Sequence, residues 1–188
     1  MKDHELIARF LRSQDTALFH VLYRRYANKV YAKCISMLKD EGLAQDAVQE
    51  IFTKLFLNLH KFNGQARFST WLYAITYNYC IDRIRRRNKE MALFSDEMEG
   101  AQEETVGQND DVPDKVLLEM ELDRLERVLD AIPPGDKAVL LMKYQDGMQI
   151  KEIAEALDKT ESAIKMKIKR AKAKARLAYE RLFGDPLR

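Results

Sequence analysis

Between Glu90 and Asp114 the chain carries nine acidic side chains, Gly100 and Gly107, and not one Lys or Arg. Like charges this dense repel one another, and no apolar pattern accompanies them that could offset the entropy of ordering the backbone. The segment reads as a flexible, self-repelling linker, so that although 188 residues could form a single domain, the composition shift divides the chain. It leaves two halves, 1–89 and 115–188, each long enough for a modest helical core and each only marginally stable alone. The formal net charge of +2 is therefore misleading. With acid gathered in the linker, base gathers at Arg83 to Lys89 and again at Lys159 to Arg176. Two such patches suit a polyanionic partner.

Both halves read as helical, with no strand alternation and no internal repeat. Asp15 can cap a long helix in which Ala17, Leu18, Val21, Leu22, Tyr26, Val30, Ile35 and Leu38 recur at helical spacing, ending near Asp40 to Gly42. From about Ala44 a second helix carries Ala47, Val48, Ile51, Phe52, Leu55, Phe56 and Leu59 as a wide apolar stripe, with Asp46, Gln49, Glu50 and Lys54 opposite. His60 to Arg67 holds Asn63 and Gly64 and reads as a loop. Beyond the linker, Leu117 to Ala131 is helical, Ile132 to Gly135 is a break, and Asp136 to Tyr144 begins another helix. The expected fold class is all-α: two small helical domains joined by the acidic linker.

Two segments carry chemistry. Phe68 to Arg87 sets Phe68, Trp71, Tyr73, Tyr77 and Tyr79 beside Arg83, Arg85, Arg86, Arg87 and Lys89 on one helix. Flat faces for unstacked bases next to cations for phosphates suit single-stranded nucleic acid. The competing reading makes Trp71, Ile75 and Ile81 core residues and the arginines a solvated face. Gln149 to Arg176 reads as a helix-turn-helix. Ile150, Ile153, Ala154 and Leu157 face inward from a short helix, Asp158 to Thr160 breaks it, and Thr160 caps a second helix with Ile164, Ile168, Ala171 and Ala175 inward. Its outward side is expected to be basic, with Lys165, Lys167, Lys169, Arg170, Lys172, Lys174 and Arg176, and could lie in a major groove. An ordinary helical hairpin with a solvated lysine face is the alternative.

The opening MKDHELIARF has charges in its first turn and no long apolar stretch, so neither a signal peptide nor a membrane anchor is expected, and the cytosol is the expected compartment. Cys34 and Cys80 lack CxxC spacing and read as buried or inert thiols. His4, His20 and His60 lack ligand spacing, and no glycine-rich phosphate loop or acid/base cluster occurs. No metal, no cofactor and no catalytic residue is expected.

The order LYRRYANKVY, DAVQEIFTKLF, FSTWLYAITYNYCIDRIRRR, acidic linker, AIPPGDKAVLLMKYQDGMQIKEIAEALDKTESAIKMKIKRAKAKAR resembles the extracytoplasmic-function sigma factors of the sigma-70 family over nearly the whole chain. The resemblance implies region 2 at 1–89, a linker at 90–114 and region 4 at 115–188. It implies a non-enzymatic promoter-specificity subunit that binds core RNA polymerase at clamp and flap, reads double-stranded promoter DNA, melts it to single strands, and is commonly held by an anti-sigma factor. By position, Asp46, Gln49, Glu50, Ile51 and Phe52 would dock on the clamp. Lys61, Phe62, Asn63, Gly64, Gln65 and Arg67 match the loop that receives a flipped minus-ten base. Phe68, Thr70, Trp71, Tyr77 and Asn78 match the strand-opening segment, and Arg83, Arg86 and Arg87 would hold phosphates. Lys143, Glu161, Ser162, Lys165, Met166, Lys169 and Arg170 match the reader of the minus-thirty-five element, with Met166 where the family commonly has a small polar residue. A stand-alone helix-turn-helix regulator is the alternative, although no heptad or effector domain is evident.

Overall fold

The structure is a computed structural model that describes residues 1–94, Met120 and 122–184. Among the described residues every regular element is helical. The chain divides into two units, Met1–Arg86 and Arg87–Arg188.

In the first unit, α1 (Asp3–Ser13) buries Leu6, Ile7 and Phe10. The Lys2 backbone N–H donates to the Glu5 carboxylate at 2.9 Å, and that bond holds the Glu5 carboxyl below its ordinary range. This helix was not anticipated, although Leu6, Ile7, Phe10 and Leu11 recur at helical spacing, because its charges were weighed only against a signal peptide or membrane anchor. α2 (Thr16–Leu38) begins under the Asp15 carboxylate, which accepts from the Ala17 N–H at 2.9 Å, and it ends on Lys39 in the left-handed region. α3 (Glu41–Asn58) is capped by Asp40, which accepts from the Leu43 N–H at 2.8 Å, and so starts one turn earlier than the apolar stripe suggested. A 3-10 turn (Leu59–Lys61) then leads to α4 (Phe68–Phe94).

The core of this unit lies between these helices. Leu22, Val30 and Cys34 of α2 meet Ala47, Ile51 and Leu55 of α3 and Leu72, Tyr77 and Cys80 of α4, all fully buried. At about 1.5–3 kcal/mol for each large aliphatic or aromatic side chain taken from water, this packing outweighs helix propensity in fixing the unit. Cys34 and Cys80 are free thiols with sulfurs 3.9 Å apart, and this contact together with burial pushes the Cys80 thiol far up. Val21 and Phe56, expected inside, are 41% and 39% exposed. Glu90 to Phe94, expected in the linker, continue α4. The rest of the proposed linker, 95–114, and residues 117–119 and 121 of the expected helix lie outside the described residues, and the described part of that helix runs from Leu122 to Asp130.

The second unit contains α5 (Leu122–Asp130), α6 (Pro134–Leu140), a π-helical turn (Leu141–Gln145), α7 (Ile150–Leu157) and α8 (Glu161–Phe183). Pro134 starts α6, where its missing N–H would have had no helical partner. The helix expected from Asp136 to Tyr144 therefore begins two residues earlier and widens into the π turn. Val128, Ile132, Val139, Met142, Met148, Ile153, Ile164 and Ile168 form the core. The small Ala171 and Ala175 of α8 are fully buried in it, and small side chains allow helix axes to approach closely. At the far end of α8, Arg124 donates to the Tyr179 hydroxyl at 2.9 Å, and Arg124 and Arg127 stand over the Phe183 ring.

Candidate nucleic-acid interface

In the first unit the loop 62–67 and the start of α4 build one face. Gly64 at φ 74° lets the chain reverse, and the Asn63 side chain accepts from the Gln65 N–H at 3.0 Å, which stiffens the turn. Phe62 is half-buried and its ring lies 5.6 Å from Phe68 and 5.3 Å from Trp71. Lys61, Asn63 and Arg67 are exposed, and Trp71 and Asn78 are half-buried. Phe68 is 3% exposed and packs on Tyr26, while Tyr77 is wholly buried. Thr70 is buried as well. The expectation that Phe68 and Tyr77 offer open stacking faces is thus corrected: both rings are committed to the core, and the aromatic surface here belongs to Phe62 and Trp71.

Lys33 serves the same helix from behind. Its ammonium stands 4.2 Å from the Tyr73 ring centroid and 5.3 Å from that of Tyr77, and it donates to the Tyr77 hydroxyl at 3.4 Å. No sequence motif marked Lys33, because a cation–π partner on another helix, 44 residues along the chain in the case of Tyr77, has no local signature. Further along α4, Arg83, Arg86, Arg87 and Lys89 are exposed and Arg85 has only a loose pair with Asp82 at 3.8 Å. This leaves a cationic end on a helix whose beginning is aromatic.

On α3, Asp46, Gln49 and Glu50 are exposed, whereas Ile51 is fully buried and Phe52 is 4% exposed. Ile51 and Phe52 are therefore corrected from docking residues to core residues, since a helix turns by about 100° per residue and both face inward. Apolar surface on this side comes instead from Phe56 and from Leu57, which is 64% exposed. Glu50 accepts from the Tyr79 hydroxyl, and Lys54 stands 4.8 Å from that ring's centroid. Burial, and then the bond to Glu50, push the Tyr79 phenol up to about 12.

In the second unit, Gln149 begins α7 with its backbone N–H donating to Glu152 at 2.8 Å. Asp158 ends α7 in the left-handed region at φ 52°, and the Thr160 hydroxyl accepts from the Ala163 N–H at 3.1 Å to start α8. The expected break and cap are both present. Ile153 and Ile164 close the back of this turn, so α8 presents Glu161, Ser162, Lys165, Met166 and Arg170 outward, all exposed, with Lys169 half-buried beside them. Lys143 is half-buried on the π turn. The basic face is narrower than expected. Lys172 is 8% exposed, Lys174 pairs with Asp136 at 2.9 Å, and Arg176 pairs with Glu180 at 3.0 Å.

A helical unit with a loop-and-aromatic face, followed by a second helical unit ending in a capped helix-turn-helix, defines the sigma-70 class of DNA-reading proteins. Its family models match here in the same order, Sigma-70 region 2 at residues 22–90 and Sigma-70 region 4 at 122–174. The chain is 30% identical over 167 residues to the ECF RNA polymerase sigma factor SigW of Bacillus subtilis, covering 86% of this chain and 89% of that one. It is 28% identical over 179 residues to the ECF RNA polymerase sigma-E factor of Escherichia coli K12, covering 92% and 91%. The chain belongs to the extracytoplasmic-function sigma factors of the sigma-70 family. Its fold is also that of CnrH, solved in complex with the cytosolic domain of CnrY, with a TM-score of 0.63 and 22% identity over 95% of this chain and 97% of that one. The sigma factor RpoE of Bartonella quintana, solved with the anti-sigma factor NepR, aligns with a TM-score of 0.62 and 16% identity over 86% and 96%. These relationships disfavour the stand-alone regulator. Among the described residues no helix is long and apolar enough to cross a membrane.

Proposed function

We propose that this sigma factor reads its promoter in two places and uses one unit for each. The capped helix α8 enters the major groove of the minus-thirty-five element, with Ser162, Lys165, Met166 and Arg170 outward, Lys169 at the edge, Glu161 at the N-terminal turn and Lys143 on the neighbouring π turn. Met166 would favour an apolar contact such as a thymine methyl. In the first unit, the turn at Asn63 and Gly64 receives a flipped minus-ten base, with Lys61, Arg67, Phe62 and Trp71 around it. Asn78 supplies an edge hydrogen bond, and Arg83, Arg86 and Arg87 hold phosphates. Phe68, Thr70 and Tyr77 support this face from within. Asp46, Gln49 and Glu50, backed by Ile51 and Phe52, dock on the polymerase clamp with Phe56 and Leu57 as the apolar part of the contact.

The observation that carries this reading is the outward set on α8, fixed by the Thr160 cap against a closed apolar back. The protein acts in the cytoplasm and catalyses nothing itself: binding energy drives strand opening. By analogy with the sigma factor RpoE, solved with the anti-sigma factor NepR, an anti-sigma partner holds this protein inactive. Transcription reconstituted with bacterial core polymerase on a genomic library tests the proposal. Promoter-specific initiation that needs both partners supports it, and no initiation above core enzyme alone overturns it.

A further inference from the structure

Asp136 lies in the first turn of α6 and its side chain is only 11% exposed. Its carboxylate accepts from Lys174 at 2.9 Å and faces the Lys167 ammonium at 4.0 Å. Lys167 and Lys174 are seven residues apart, two turns along α8, so they share one flank of that helix. The Lys167 ammonium is drawn so far toward α6 that a Cβ on Gly135 would stand 3.2 Å from it. The N-terminus of a helix disfavours a cation, so the attraction there comes from the Asp136 carboxylate. Toward these two lysines Asp136 does what a DNA phosphate would do.

We propose that Asp136 is a specificity-determining residue of the DNA reader: it occupies Lys167 and Lys174 and so keeps two cations of α8 off the phosphate backbone. This rests on the reading of α8 as the minus-thirty-five reader. Phosphate contacts add affinity for any sequence, whereas base contacts separate one sequence from another. A helix with many free lysines would therefore hold random DNA nearly as well as its element. Lys167 is 36% exposed and Lys174 23%, so each stands near enough to solvent to reach a phosphate once the carboxylate is neutralised. The sequence showed only a run of basic residues, and the partner that divides the run lies on another helix.

The test uses the full chain and a short random-sequence duplex, with affinity measured against salt. The near-isosteric Asp136→Asn should bind random duplex several-fold tighter at low salt, with a salt slope steeper by roughly 1 to 2 units. Asp136→Asn combined with Lys167→Gln and Lys174→Gln should return the slope to that of the unaltered chain. A merely structural loss would not be reversed by removing the lysines. In the Asp136 background, Lys167→Gln with Lys174→Gln should leave the slope unchanged, and this arm decides the matter if Asp136→Asn does not fold. A fall of roughly two units in that arm would show both lysines already on phosphate and would overturn the proposal. So would an unchanged slope in folded Asp136→Asn, or a steeper slope that persists in the triple variant. Lys165→Ala separates the two readings: if it alters neither the salt slope nor the base preference of upstream-element binding while the Asp136 series behaves as expected, the outward face of α8 is misassigned and the neutralised flank stands.

Discussion

With Phe68 3% exposed against Tyr26, its removal is first a folding experiment. Phe68→Ala should lose about 3–5 kcal/mol in denaturant unfolding, enough to dominate any effect on DNA. Asn78 is the better probe of strand opening because it is half-buried and holds no core volume. A folded Asn78→Ala protein should open duplex promoters slowly, with a deficit of roughly 1–3 kcal/mol, and recover on templates carrying a pre-melted bubble. Normal opening on duplex would remove Asn78 from that role. Tyr79 gives a pH signature. Its phenol stands at about 12 in the folded chain against an ordinary 10.0, so the fold favours the protonated form. That stabilisation is complete below pH 10 and disappears as pH rises through 12. An ultraviolet titration should show late phenolates, Tyr26 being held up as well by burial and its bond to Asp3, and the step near 12 should be missing in Tyr79→Phe. At this scale the sequence told which residue types gather, but not which side of α4 they take. Phe68 and Tyr77 look like Trp71 in a one-dimensional pattern, and only packing against α2 separates core rings from surface rings.

The elements were legible where periodicity was long and a cap was local. Asp15 and Thr160 were readable as caps because an oxygen two or three residues ahead of an N–H needs no tertiary information. α1 was missed, as was the cap at Asp40, whose acidic neighbours look like a turn. The π turn at Leu141–Gln145 has no sequence signature at all. Thr160→Ala tests how far one cap positions a reader. It should reduce stability by about 1 kcal/mol in thermal unfolding and weaken initiation from promoters that depend on the upstream element. Adding Lys165→Ala should lower the salt slope of DNA binding by about one unit if the contact is to phosphate. A contact to a base would instead relax preference at one position.

At the scale of the molecule, two small units each offering a short reading surface have a large ordering cost unless something fixes their spacing. The free chain should therefore bind duplex DNA weakly and with little preference, and addition of core polymerase should create specificity. Tight, specific binding by the free chain in a gel-shift titration would contradict this. The division into halves was legible from charge, whereas the edge of α4 at Phe94 was not, because its last turn, Met91 to Phe94, is apolar and uncharged and lies between Glu90 and the acids that begin at Asp96, so counting charge placed it in the linker. The helix ends carry a separate lesson, one for the engineer. α1, α2 and α7 all finish on left-handed residues that are not glycine, namely Gln14, Lys39 and Asp158, while α8 alone among these four finishes on Gly184. A side chain strains that conformation, most for Gln14 and Lys39 and least for Asp158, whose short polar group tolerates it. Gln14→Gly and Lys39→Gly should each raise stability by about 0.5–1 kcal/mol, seen as a melting midpoint several degrees higher. Both positions are remote in sequence from the proposed DNA-reading residues, so a more heat-tolerant version of this protein should keep the same promoters.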